Sequence, residues 1–167
     1  MYLGLDLGTS GLKGVVIDDK GNVLAQESAS LSVSSPHATW SEQDPLSWWQ
    51  ACIDVIEQLQ QRLDLSKLKA LGLSGQMHGA TLLDSQGDVL RPCILWNDGR
   101  SQAQCQALMA EFPDLIERSG NLAMPGFTAP KIRWVQDNEP TVFEKLAFVL
   151  LPKDYLAYRL TGEMSSD

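Results

Sequence analysis

The opening of the chain constrains its fold most. Residues 2 to 7 form an apolar run carrying Asp6 near its end, Gly8-Thr9-Ser10-Gly11 is turn-prone, and a second run extends from Leu12 to Ile17. Asp18-Asp19-Lys20-Gly21-Asn22 breaks that run before a third begins at Val23-Leu24-Ala25. Short apolar runs separated by glycine-containing polar clusters predict strands joined by tight turns, so the chain starts as a hairpin meander. The same punctuation recurs: Val16-Ile17-Asp18-Asp19-Lys20-Gly21-Asn22-Val23-Leu24 is echoed by Leu82-Leu83-Asp84-Ser85-Gln86-Gly87-Asp88-Val89-Leu90. In each copy an Asp can bond its own backbone and a Gly is free to take positive φ, which predicts one hairpin turn used twice. A calcium loop needs further oxygen ligands and a distal Glu, and these are missing.

Helices follow. Asp44-Pro45 predicts an N-cap and first helical residue. Trp49, Cys52, Ile53, Ile56 and Leu63 recur at helical spacing, which predicts one face of residues 45 to 63 packed on the sheet. Leu68 to Leu73 reads as a buried strand, Ala80 to Leu83 and Cys93 to Trp96 as further strands, and a helix is expected from about Gly99 to Glu111. Thr128 is expected to cap a helix running through Asp137, Pro140 to begin a short one, Leu146 to Leu151 to form a strand, and Pro152 to Leu160 a helix stopped by Gly162. Strands gathered early with helices interleaved later predict an α/β fold, a mixed sheet flanked by helices.

Composition narrows the function. At 167 residues the chain falls in the one-domain range of ~100–200, and no linker, low-complexity tract or charge block divides it. With 44% apolar residues it can bury a core. Its net charge of -8 disfavours nucleic acid or anionic lipid as partners. Apolar runs such as Phe148 to Leu151 fall far short of the ~20 residues of a membrane span. The N-terminus lacks the basic region and small-residue cleavage site of a signal peptide. Cys52, Cys93 and Cys105 are odd in number and show no paired spacing, which argues against a disulfide framework or zinc site and for a reducing cytoplasm.

Three segments can carry chemistry. In Asp6-Leu7-Gly8-Thr9-Ser10-Gly11-Leu12-Lys13, a carboxylate at a strand end can hold a hydrated magnesium ion. Glycines there let backbone N–H groups approach phosphate, and Thr9 and Lys13 add a hydroxyl and a positive charge. The segment matches neither the Walker A nor the GxGxxG pattern, and a plain glycine hairpin turn is equally open. In Gln76-Met77-His78-Gly79, after a predicted strand, amide and imidazole can bond sugar hydroxyls while the thioether packs on carbon; a structural histidine is the alternative. In Trp96-Asn97-Asp98-Gly99-Arg100, Trp96 can stack on a sugar face or belong to the core, while Asp98 and Arg100 are expected to brace the loop.

Taken in order, these segments resemble the N-terminal part of the FGGY carbohydrate kinases. The resemblance extends to Trp40-Ser41-Glu42-Gln43-Asp44-Pro45 with Trp48-Trp49, to Gly126-Phe127-Thr128-Ala129-Pro130-Lys131-Ile132-Arg133-Trp134-Val135-Gln136-Asp137-Asn138, and to Pro152-Lys153-Asp154-Tyr155 through Leu160-Thr161-Gly162-Glu163. It implies a ribonuclease H-like domain, shared with actin and the heat-shock chaperone ATPases. It also implies transfer of the ATP γ-phosphate to a sugar hydroxyl, D-xylulose giving D-xylulose 5-phosphate, with ATP and Mg2+ as the cofactors. Carried onto this sequence, Met77 and His78 match positions that contact the ketose and Trp96 a wall of the pocket. Asp6 matches the aspartate that organises magnesium through water and supports catalysis, and Gly8, Thr9 and Lys13 the phosphate contacts. Family members acting on glycerol carry an aromatic where this chain has Gly126.

The resemblance further implies that the catalytic base and most of the adenosine pocket lie past Ser165-Ser166-Asp167, Asp167 being a landmark near the base. Residues 1–167 are then an incomplete N-terminal domain without its nucleotide-binding partner domain, inert alone, with exposed apolar surface that favours self-association, for instance as a homodimer. A kinase for ribulose, fuculose or gluconate and a non-catalytic sugar-binding module are the rival expectations. The kinase reading also demands that Asp6 and His78 serve one pocket.

Overall fold

The structure, a computed structural model, describes residues 1–166; Asp167 lies outside the described residues. The chain divides into two compact units, one made of residues 1–33, 44–76 and 152–166, the other of residues 34–43 and 77–151. The chain thus passes between units at Val33/Ser34, Gln43/Asp44, Gln76/Met77 and Leu151/Pro152. Ser32, Ser34, Ser35 and Pro36 flank the first junction, Pro45 lies just past the second and Pro152 opens the last, yet these signals read equally as ordinary turns and helix starts.

The first unit is a four-stranded mixed sheet. Strands β1 (Tyr2–Leu7), β2 (Gly11–Ile17) and β3 (Val23–Ser30) form the expected antiparallel meander. A further strand, Ala70–Gly75, lies parallel to β1 and gives the order β3-β2-β1-(70–75). Burial along β1 alternates strictly: Leu3, Leu5 and Leu7 face the core while Tyr2, Gly4 and Asp6 are exposed. Helix α1 (Pro45–Gln60) packs on β2 and β3, and a later helix, Pro152–Thr161, packs on β1, on strand 70–75 and on α1.

Two expectations in this unit are corrected. The strand read as buried over Leu68 to Leu73 is Ala70–Gly75, and it is largely exposed because it sits at the edge of the sheet with β1 as its single strand neighbour. The buried stripe of α1 is Trp48, Ala51, Cys52, Val55 and Leu59; of the residues expected to line it, only Cys52 is buried. Small residues at 51 and 52 permit close approach, while the larger Trp49 is partly exposed and carries the Arg159 guanidinium 4.7 Å from its ring centroid. The Asp44 cap holds, its carboxylate accepting from the Leu46 N–H at 3.0 Å.

The second unit is built from short strands and helices: β4 (Glu42–Gln43), then, after strand 70–75 of the first unit (β5), β6 (Thr81–Leu83), β7 (Cys93–Ile94), α2 (Gln102–Glu111), α3 (Leu115–Ser119), α4 (Thr128–Asn138), α5 (Pro140–Phe143) and β8 (Phe148–Leu150); the helix at 152–161 is α6. β4 pairs with β7 and β6 with β8, both antiparallel. Ala80, Leu82, Ile94, Trp134 and Val135 form its core. The polar pair of β4 and the brief α3, closed by Gly120 at φ 72°, show no sequence periodicity long enough to announce them. α2 begins three residues later than expected, and α4 takes Phe127 as its N-cap without a side-chain bond.

The repeated turn is one structure used twice. Asp18 Oδ1 accepts from the N–H groups of Lys20 and Asn22 at 2.8 and 2.9 Å, with Gly21 at φ 85°. Asp84 Oδ1 accepts from those of Gln86 and Asp88 at 2.9 and 3.0 Å, with Gly87 at φ 84°. Each carboxylate oxygen is turned onto its own backbone, as the Asx-turn reading requires.

Candidate functional site

Within the first unit, Asp6 and Lys13 are direct antiparallel partners across β1 and β2, and both are exposed. They stand on the sheet face opposite the leucine core, because residues that pair across strands share a face. The β1–β2 connection is a tight turn in which the Gly8 N–H donates to the Gly11 carbonyl at 2.9 Å. That amide is spent on the turn, so what Gly8 contributes is a backbone without a side chain at the rim. Thr9 Oγ1 donates to Gln76 Oε1 at 3.2 Å, and the Gln76 N–H donates to the Leu7 carbonyl at 2.7 Å, which fixes the end of β5 against the loop. The hairpin-turn reading holds, and the turn places a carboxylate, a hydroxyl and an ammonium near one strand end.

Among the described residues, no group of three or more His, Cys, Asp or Glu side chains is placed to hold a metal ion directly. A single exposed carboxylate is a hard oxygen donor that suits a cation keeping most of its water, as magnesium does, and does not suit a dehydrated one. Asp6 fits in that sense alone.

Within the second unit lie Met77, His78 and Trp96. Met77 is 60% exposed and Trp96 46% exposed, so the option that Trp96 is a core aromatic is overturned. His78 is half-buried and, among the described residues other than glycine, is the one with positive φ, at 60°. Its ring lies 4.7 Å from that of Phe127, tilted by 58°. Burial, and secondarily the charge of Lys131, hold its pKa below the ordinary histidine value, which favours the neutral imidazole.

A buried ionic cluster braces the 96–100 loop. Asp98 accepts from the Ser41 N–H at 2.6 Å and from Arg100 through its backbone N–H, Nε and Nη2 at 2.9, 2.9 and 2.7 Å. Arg100 Nη1 lies 2.7 Å from Glu42 Oε1, which Arg91 also engages, and Arg91 Nη1 lies 3.2 Å from Glu139 Oε2. The Arg100 guanidinium stacks 3.8 Å from the Trp40 ring centroid and 4.9 Å from that of Trp134. The expected Asp98–Arg100 brace is thus present, and it is larger than two residues.

Lys131 is the group that residue-level reading of the sequence passes over. It is 0% exposed, and its Nζ donates to the carbonyls of His78 and Gly126, each at 2.7 Å. Thr128, expected as a cap, instead donates its hydroxyl to the His78 carbonyl at 3.2 Å. Gly126 is required by close approach: a Cβ there would lie 2.8 Å from the Trp96 carbonyl oxygen. Burial pushes the Lys131 ammonium down to about 8. Gly126 and the first turn of α4 thus lie against the backbone of both loops that carry Met77, His78 and Trp96.

A sequence profile described as the FGGY family of carbohydrate kinases, N-terminal domain, matches residues 1–167. The xylulose kinase of Escherichia coli is 54% identical over 167 residues, which is 100% of this chain and 34% of that protein. Among solved structures, the xylulose kinase of Rhodospirillum rubrum superposes with a TM-score of 0.93 at 33% identity, covering 99% of this chain and 35% of that one. The gluconate kinase of Lactobacillus acidophilus does so with a TM-score of 0.90 at 27% identity, covering 98% and 33%. The chain spans about a third of the length of these relatives.

Proposed function

The chain belongs to the FGGY family of carbohydrate kinases, and from that premise we propose that it is the N-terminal portion of a xylulose kinase, which transfers the γ-phosphate of ATP to D-xylulose. The observation that carries this reading is the 54% identity to a xylulose kinase along the whole chain. In this reading Met77 and His78 contact the ketose and Trp96 forms a wall. An exposed thioether and an exposed indole are surfaces that a sugar's carbon face can cover, and a neutral imidazole can both donate to and accept from hydroxyls. Asp6 would hold a hydrated magnesium ion through water, and Gly8, Thr9 and Lys13 would face the phosphates. When bound, the magnesium neutralises charge on the phosphates. The three buried, unpaired cysteines accord with a reducing cytoplasm.

None of the described residues is assigned as the base that accepts the sugar hydroxyl's proton. A general base contributes typically ~10²–10⁴-fold, and holding both substrates together contributes as much as ~7–11 kcal/mol. We therefore expect the 167-residue chain to lack xylulose-dependent ATP turnover while retaining weak sugar binding. Calorimetric titration with D-xylulose, D-ribulose, L-fuculose and D-gluconate tests this. Saturable binding strongest for D-xylulose is the expected result. Preference for gluconate would move the assignment to that substrate, and turnover at an ordinary kinase rate would overturn the view of the chain as incomplete.

A further inference from the structure

His78 occupies a backbone region that an L-residue enters reluctantly, because its Cβ crowds the neighbouring carbonyl. It lies between the end of β5 at Gly75 and the start of β6 at Thr81, outside any strand ladder, so its carbonyl must find partners elsewhere. Those partners are Lys131 Nζ and Thr128 Oγ1, both from the first turn of α4. The same ammonium also binds the Gly126 carbonyl, and position 126 abuts the Trp96 carbonyl. Burying a lysine completely is costly unless its donors are used, and here one charged group ties the loop of Met77 and His78 to Gly126, which itself abuts the Trp96 carbonyl.

We propose that Lys131 is a positioning residue for the sugar: its buried ammonium clamps the His78 and Gly126 carbonyls, locks His78 in the left-handed conformation, and so sets the direction of the imidazole. Lys131 itself touches no substrate in this scheme; it acts through the backbone of His78. The inference rests on the reading that His78 meets the sugar. Phe127, at 4.7 Å from the His78 ring, limits the ring from the side while Lys131 fixes its base.

The test uses the 167-residue chain, the isosteric Lys131→Met variant, the His78→Gly variant and the double variant. Urea denaturation measures stability, and NMR follows the Met77 methyl and His78 ring signals during D-xylulose titration. Glycine adopts positive φ without strain, so the clamp should matter less when position 78 is Gly. The destabilisation caused by Lys131→Met should therefore be clearly smaller in the His78→Gly background, or folding lost in the single variant should return in the double. In the folded single variant, D-xylulose affinity should fall about tenfold or more, as expected when a charged hydrogen bond stops orienting a ligand group. The midpoint of the His78 ring titration should rise once the neighbouring positive charge is gone. Strictly additive stability effects, or an unchanged sugar affinity in a folded Lys131→Met chain whose parent binds, would overturn the proposal. D-xylulose that leaves the Met77 and His78 signals of the unmodified chain unmoved would instead overturn the sugar reading, and the stability coupling would still judge the clamp.

Discussion

Leu3, Leu5, Leu7, Leu12, Val16, Trp48, Val55 and Leu59 fill the first unit, where the buried charge among the described residues is Asp154, held by Lys153 and Ser166 at 2.6 and 2.7 Å. In the second unit the buried residues include Glu42, Asp98, Arg100 and Lys131 beside Ala80, Leu82, Ile94 and Val135. The first unit is held by apolar area on alternating strand positions. The second depends on buried charges held by one another or, for Lys131, by backbone carbonyls, a solution that tolerates little disturbance, because a buried ion that loses its partner cannot recover water. The difference teaches where rigidity comes from: a regular sheet stiffens the turn between β1 and β2, while a polar network does the same for loops that have almost no sheet beneath them.

The comparison can be broken by substitution. The largest effect is expected for Asp98→Ala, which leaves Arg100 Nε and Nη2 and the Ser41 N–H without their acceptor; removing one partner of a buried pair costs roughly 3–5 kcal/mol. Urea unfolding that shows a loss under 1 kcal/mol would mean that the second unit does not rely on its ions. Next comes Leu59→Ala on the buried face of α1, expected to cost about 2–4 kcal/mol through lost transfer energy and a cavity, read as a drop in the thermal midpoint. The smallest is Asp44→Ala, which removes the α1 cap at a cost of about 1 kcal/mol. If the cap substitution proved more damaging than the core one, the account of the first unit as held by apolar packing would need revision.

These features differed in how far the sequence announced them. The meander, the Asp44-Pro45 helix start and the two Asx turns were readable because each depends on residues within a few positions of one another. Of the α1 stripe the spacing places only Cys52: Trp48, Ala51, Val55 and Leu59 are passed over for their neighbours Trp49, Ile53 and Ile56, which are apolar and fit a helical spacing too. The ionic cluster was only partly legible. Asp98 and Arg100 are two residues apart and announced their pairing, but Glu42 and Arg91 are 49 apart and nothing local joins them. Of the candidate site, residue types point to both loops, whereas Lys131, on a helix among Arg133 and Asp137, has the look of a solvated face until the fold turns it inward.

The left-handed backbone at His78 has a consequence for how this chain would respond to selection. Screening for thermal resilience alone should drive position 78 toward glycine or asparagine, which sit in that conformation more comfortably. Selecting for the sugar binding we propose should hold the histidine in place, so at a single dihedral angle robustness and usefulness pull apart.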